Sequence, residues 1–210
     1  MQVLWFGQRC CRLEAKEGTV LIDPYGKEVS LRGPKLKGDL ILMSTGTKPG
    51  EPEEGSFLIT NPGEYERKGI SVRGIASYRD AADGAERGLN TIYVIKSEDM
   101  TVCHLGALGQ TQLTNEQVAA IGSVDVLIVP VGGHDVLDAK AAVKVVEQVE
   151  PKVIVPVQFA MTGAPYEADK VETFVKEVGL DAEKTDKLRL AKKTLPVDET
   201  TLTIVTGSGS

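Results

Sequence analysis

The side chains able to hold a metal ion, or to act as nucleophile and base, are few. The chain has two histidines, His104 and His134, and three cysteines, Cys10, Cys11 and Cys103. A catalytic zinc takes three protein ligands and leaves one position for water. His104, His134, Asp135 and Cys10 could supply such a set, although nothing in their spacing groups them. Cys10 and Cys11 are neighbours on a strand candidate, so at most one faces any given site. The same alternation turns Cys103 away from His104 and excludes that pair as a dyad. A Cys10–His104 nucleophile and base stays open only if the fold joins them.

Three strand-end junctions carry the remaining polar candidates. In "IDPYG", Asp23 closes a strand before Pro24; an aspartate there caps a turn, or it orients a ligand from behind. In "CHLGALGQ", His104 ends a strand and is followed by glycines that permit a sharp turn. In "PVGGHDVLDA", His134 follows a buried strand and two glycines and precedes a helix. Ligands of layered α/β proteins bind at such carboxyl ends; a solvated loop histidine is the plainer reading. There is no GxSxG elbow, no GxxxxGK[ST] phosphate loop and no HExxH.

These residues need elements to position them, and the sequence supplies two rhythms. Strands dominate the first half: "VLWF", then "CCRLEA" and "TVLID" around a turn at Lys16–Gly18, then "DLILMS", "SFLIT" and a hairpin in "EYERKGISVRGI" turning at Lys68–Gly69. "NTIYVIKS" and "MTVCHLG" pair through "EDM". Strand–helix units follow. "TNEQVAAIG" is a short helix with Thr114 as N-cap and Gln117 completing a capping box. "VDVLIVPV" and "KVIVPVQF" are buried strands. "LDAKAAVKVVEQVEP" and "YEADKVETFVKEVG" are helices, the second closed by Gly179, and "LRLAKK" and "TLTIVTG" are final strands. The polar loop from Tyr78 to Leu89 is the longest candidate lid.

The chain has 210 residues, 41% apolar and 26% charged, with a net charge of -6. That is a soluble globular composition. An acidic total disfavours nucleic acid, and no basic block offsets it. No apolar run reaches the ~18 residues of a membrane span, and "MQVLWFGQ" does not read as a signal peptide. Three cysteines make no disulfide framework, so a reducing, cytoplasmic setting is expected. One domain over residues 1–206 is expected, with 207–210 a flexible tail or cloning scar.

In combination, "WFGQRCCRLEAKEGTVLIDPYG", "NPGEYERKGISVRGI", "HLGALGQ", "DVLIVPVGG" and "KVIVPVQF" resemble the small metallo-β-lactamase-fold hydrolases. The likeness is to the branch that includes ascorbate-6-phosphate lactonase. It spans residues 1–160 and implies an α/β αββα sandwich of two mixed sheets, with the active site at one edge between them. The family's S/T-H-x-H-x-D-H motif would fall on Ser44 to Gly50, which places Thr45, Thr47, Pro49 and Gly50 at the four ligand positions. In the family's H-L-G-D-L-G-H motif His104 is kept, while Ala107 and Gln110 replace Asp and His. Gln8 and Gln158 stand where histidines are usual.

The resemblance with its losses gives these expectations. The chain is a degenerate member of the fold, without the metal motif and without a cofactor, that binds an unknown small molecule or protein rather than turning it over. Its cleft residues are Gln8, Asp23, Thr45, Thr47, His104, Gln110, His134 and Gln158. The alternative is a divergent hydrolase of esters, lactones or phosphoesters with one zinc rebuilt at His104 and His134. A homo-oligomer whose old cleft is filled is a third reading. Neither a nucleic-acid nor a membrane partner is expected.

Overall fold

The structure is a computed structural model, which describes residues 1–26, 33–46, 50–164 and 166–207. Thr47 and Pro49, two of the four positions aligned with the metal motif, and the last three residues lie outside the described residues.

Two mixed sheets form the molecule. The first contains β1 (Gln2–Trp5), β2 (Cys11–Glu14), β3 (Thr19–Ile22), β4 (Leu40–Leu42), β5 (Phe57–Ile59) and β13 (Leu188–Arg189), in the order β13-β1-β2-β3-β4-β5. The second contains β6 (Gly63–Arg67), β7 (Ile70–Tyr78), β8 (Leu89–Ser97), β9 (Met100–His104), β10 (Val126–Pro130), β11 (Val153–Val157), β12 (Ala182–Thr185) and β14 (Thr201–Val205). Its order is β12-β14-β11-β10-β9-β8-β7-β6. The antiparallel half is made of hairpins. The β8–β9 turn is Glu98-Asp99, both at positive φ, the conformation that a two-residue hairpin turn requires.

The half with helical crossovers is parallel, as the buried runs "VLIVP" and "VIVPV" demand: both strands are buried at every position. The helices α1 (Asn115–Ile121), α2 (Ala139–Val149) and α3 (Val171–Val178) accompany this second sheet, α1 against β7, α2 against β10 and α3 against α2. Thr114 and Gln117 form the reciprocal capping box at α1, and Asp138 caps α2 through Ala141 N. One continuous apolar core runs between the sheets and out to the helices, and includes Trp5, Leu13, Val20, Tyr93, Val102, Ile128 and, on α3, Phe174. Trp5 and Phe159 stack there at 4.5 Å. A smaller cluster of Cys10, Leu21, Tyr25, Ile41 and Met43 packs separately. No helix among the described residues is long and apolar enough to cross a membrane.

Two expectations differ. The helix read from Tyr166 starts only at Val171. The preceding residues are tied to strand-end loops instead: Asp169 N donates to Gly132 O and Ala160 N to Asp169 O. The strand read over "LRLAKK" is two residues long, followed by a 3-10 turn at Lys192–Thr194.

Parallel pairing of β3 with β4, and of β9, β10 and β11, brings the carboxyl ends of these strands to one edge. Asp23, Ser44, His104 and Gln158 each stand at the end of one of them.

Candidate functional site

The edge is laced across both sheets. Gln158 N donates to Gln8 O at 2.8 Å and Thr91 N to Ser44 O, joining the two sheets, while Asp23 N to Leu42 O extends the β3–β4 pairing within the first. Gln8 O also accepts from Trp5 Nε1 at 2.8 Å. Gln8, Asp23 and Gln158 all adopt positive φ, +46°, +44° and +52°. Such backbone is uncommon outside glycine, and it collects where neighbouring structure over-determines it.

Two glycines let the loops close. Gly106, at φ +62°, lies so near Ser44 that a Cβ would stand 2.4 Å from the Ser44 Cβ. A Cβ on Gly132 would stand 1.9 Å from Gln158 O. Asn90, buried, fixes the turn after β9 by donating to Leu105 O and accepting from Ala107 N.

At the centre is Arg9. Its Nε lies 3.4 Å from Asp23 Oδ2 and its Nη1 donates to Gln158 Oε1 at 2.8 Å. Its side chain is 19% exposed. Asp23 is buried and accepts from Ser44 N at 2.7 Å and Ser44 Oγ at 2.6 Å. Behind them, His104 is fully buried, with Nε2 3.0 Å from Arg9 O and Nδ1 accepting from Gly106 N at 3.0 Å. An acceptor at Nδ1 assigns the proton of the neutral ring to Nε2, which donates to Arg9 O. Burial lowers the His104 pKa below the usual histidine value, although Asp23 and the bond to Arg9 O oppose the shift.

Of the sequence-designated residues, Asp23 and Gln158 hold the Arg9 guanidinium, His104 bonds the Arg9 carbonyl, and Gln8 joins through its own carbonyl to Gln158 N. The others sit differently. Gln110 exchanges amide hydrogen bonds with Gln117, which also donates to Ala76 O, and so anchors α1. His134 is half-exposed at φ +56° and lies 3.6 Å from Glu167. Thr45 follows Ser44 at the rim and is half-buried. Cys10 packs in the smaller apolar cluster, and burial pushes its thiol pKa well up, so it offers no ready thiolate. The Tyr78–Leu89 loop is no loose lid. Its chain winds around the buried Asp80 carboxylate, which accepts from the N–H groups of Ala82, Gly84, Glu86 and Arg87. A concavity of ≈ 550 Å³ lined by Phe6, Arg12, Asp39 and Lys68 is separate; none of Gln8, Arg9, Asp23, His104 and Gln158 lines it.

Arg9, Ser44 and Tyr166 escape sequence reasoning. Tyr166 Oη donates to Phe159 O and receives Gln8 N at 3.4 Å. The one available signal was Arg9 itself, a cation set between Gln8 and Cys10 in the opening motif, where an uncompensated Asp23 would need one.

Comparisons with known proteins fix the lineage. The family model described as "Beta-lactamase superfamily domain" matches residues 2–158. A metal-dependent hydrolase of Thermococcus onnurineus is 32% identical over 78% of this chain and 86% of its own. A second, of Pyrococcus horikoshii, is 30% identical over 59% of this chain, which spans only 54% of that relative's length. Among solved structures, a proposed Zn-dependent hydrolase of the metallo-beta-lactamase superfamily from Thermotoga maritima superposes with a TM-score of 0.81. It is 28% identical and covers 97% of both chains. The αββα expectation for the fold stands on this likeness.

The same names correct the expectation of no cofactor. Relatives called metal-dependent hydrolases point to a metal cofactor. The donors at the edge do not fit it as they stand. Both nitrogens of His104 are engaged, and no group of three or more His, Cys, Asp or Glu able to hold a metal ion occurs among the described residues.

Proposed function

The chain belongs to the beta-lactamase superfamily domain family, and we propose that its strand-end cleft binds a small molecule through Arg9. The observation that supports this reading is the Arg9 guanidinium held by Asp23 and Gln158, with His104 on the Arg9 carbonyl and Gln158 N on Gln8 O. Asp23 and Gln158 fix its orientation, His104 fixes its main chain, and its remaining N–H groups are left for a ligand. A guanidinium held this way recognises carbonyl, ester or oxyanion oxygens, and holding it beforehand reduces the entropy lost on binding. Both His104 nitrogens are engaged, Asp23 is committed to Arg9 and Ser44, and Cys10 offers no ready thiolate, so binding is the chemistry the described geometry favours.

The second reading is metal-dependent hydrolysis of an ester, lactone or phosphoester. It is favoured by the names of the relatives and by the presence of His104 at the strand end. An ion there would need His104 to leave Arg9 O and exchange its tautomer, and would draw further donors such as His134.

One experiment separates the two. Protein purified without chelator is analysed for transition metals and assayed against a panel of lactones, carboxyl esters and phosphoesters. Saturable binding without turnover, abolished by Arg9→Gln, is the expected result. A stoichiometric metal with turnover, both lost in His104→Ala, would establish the second reading.

A further inference from the structure

The two faces of the first sheet are built differently. One face feeds the main core through Leu13, Val20, Ile22, Leu40 and Leu42. Alternation turns the residues between them to the other face. There the register lays Leu4, Arg12, Leu21, Ile41 and Leu58 side by side from β1 to β5. Arg12 is the one charge in that row. The helices accompany the second sheet, and the buried Leu21 and Ile41 are packed instead by the partly buried Phe6, Leu36 and Leu58.

Arg12 has no partner suited to a guanidinium. Its Cζ lies 5.3 Å from the centre of the Phe6 ring, a cation–π contact that leaves the N–H groups unused. Among the described residues no carboxylate stands within ion-pair distance of Arg12, and no acceptor takes a hydrogen bond from it. Nε is closed off from solvent. The two Nη nitrogens, unpaired and not buried, are the donors left for the ≈ 550 Å³ concavity that Arg12 lines. Guanidinium donors set among leucines gain most from a ligand that brings acceptors to them.

The rest of the wall suits a ligand with one negative charge. Lys35, exposed on the rim, has no ion-pair partner among the described residues. Lys68 is taken by Asp39 at 2.6 Å, whose other oxygen receives Thr19 N. Lys37 is held loosely by Glu53 at 3.9 Å. Glu14, two positions along β2 and so on the face of Arg12, lines the same concavity with Glu54. Neither carboxylate has an ion-pair partner among the described residues, and both repel a second negative charge. Phe6 adds apolar surface beside the cations. The volume falls within the range of about 300–1,000 Å³ usual for small-molecule sites.

We propose that this concavity is a second binding site, for a small aromatic monocarboxylate, whose carboxylate pairs with the Arg12 Nη groups and Lys35 while its ring lies on Phe6. A guanidinium presents paired donors that match a planar carboxylate, and a ring beside Phe6 keeps water from it. The proposal does not depend on the reading given to Arg9, because no residue of that cluster lines the concavity.

The test titrates the full-length 15N-labelled chain at pH 7 with phenylacetate, acetate, 2-phenylethanol and phenyl phosphate. The amides of Gly38, Gly55 and Ser56, which line the concavity, are followed together with those of Gly106 and Gln158 in the cleft. Saturable shifts of the first three with phenylacetate are expected, with weaker binding of the other three probes. Arg12→Gln should weaken phenylacetate at these amides by about tenfold and Lys35→Gln by several-fold, while Arg9→Gln should leave it unchanged. If Arg12→Gln fails to fold, Lys35→Gln serves, since Lys35 is exposed and its side chain is unpaired. Phenylacetate that moves none of the three amides, or moves them equally in the Arg12 and Lys35 variants, would overturn the site. Equal binding of 2-phenylethanol would overturn the anionic ligand, equal binding of acetate the aromatic one, and tighter binding of phenyl phosphate the single charge. Shifts confined to Gly106 and Gln158 would assign the ligand to the cleft and overturn the second site alone.

Discussion

His104 Nε2 lies 3.0 Å from the carbonyl oxygen of Arg9, 95 positions away in the chain, and its other ring nitrogen accepts from Gly106 N. The imidazole is therefore a strut between the two sheets. It positions the main chain of the residue whose side chain pairs with Asp23 and Gln158.

That strut makes stability depend on pH. The His104 pKa is lowered by burial, so below the unfolded-state value of about 6.5 the unfolded chain binds a proton that the folded chain resists. Its contribution is fully present above that pH and is lost as pH falls toward the lowered folded pKa. The slope approaches about 1.4 kcal/mol per pH unit within this window. Urea midpoints of wild type and His104→Gln, measured from pH 8 to pH 5, should diverge below about pH 6.5, the wild type losing more.

Arg9→Met removes the cation from Asp23 while keeping the stem's volume. Asp23 keeps both bonds from Ser44, and Arg9 is partly exposed, so the expected loss is about 1–3 kcal/mol rather than the larger cost of stranding a fully buried charge. Urea denaturation at pH 7 measures it.

Gly106→Ala should destabilise by about 2 kcal/mol or more, because it combines positive φ with a Cβ driven into Ser44. Its thermal midpoint should fall by several degrees, roughly 2–4 °C for each kcal/mol in a chain of this size. Gly122, also at positive φ but in open space, is the comparison that isolates the steric share.

Asp125 is buried and receives Lys152 Nζ, Lys192 Nζ and Thr101 N. Burial pushes its pKa up, but these bonds outweigh burial and the net shift is downward. Asp125→Ala would leave two lysines and a strand-end N–H without their acceptor, at a cost of about 2–4 kcal/mol by chemical denaturation. Asp80→Ala acts locally: the amides of Ala82, Gly84, Glu86 and Arg87 should lose hydrogen-exchange protection while core amides keep theirs.

Features encoded locally were legible in the sequence. The α1 capping box needs only Thr114 and Gln117, and the β6–β7 hairpin needs Lys68-Gly69 and alternation on either side. Buried runs such as "VLIVP" announce a parallel sheet without naming its neighbours. The strand β12, "AEKT", carries two charges and is mostly exposed, so no apolar pattern betrays it. Asp23 and His104 stand out as polar residues at strand ends, whereas Gln8 and Gln158 are marked only by the family resemblance. Arg9 is marked by neither, because its role depends on Gln158, 149 positions away, closing over it.

The most direct test of an Arg9-centred cleft is the ring state of His104, read from the two imidazole nitrogens by long-range 1H–15N correlation NMR between pH 5.5 and 8. A neutral ring protonated at Nε2, resisting protonation well below pH 6.5, is the predicted result, because Arg9 O accepts that proton and Gly106 N–H occupies Nδ1. A ring protonated at Nδ1 with Nε2 bare, or one that titrates with an ordinary pKa, would contradict it.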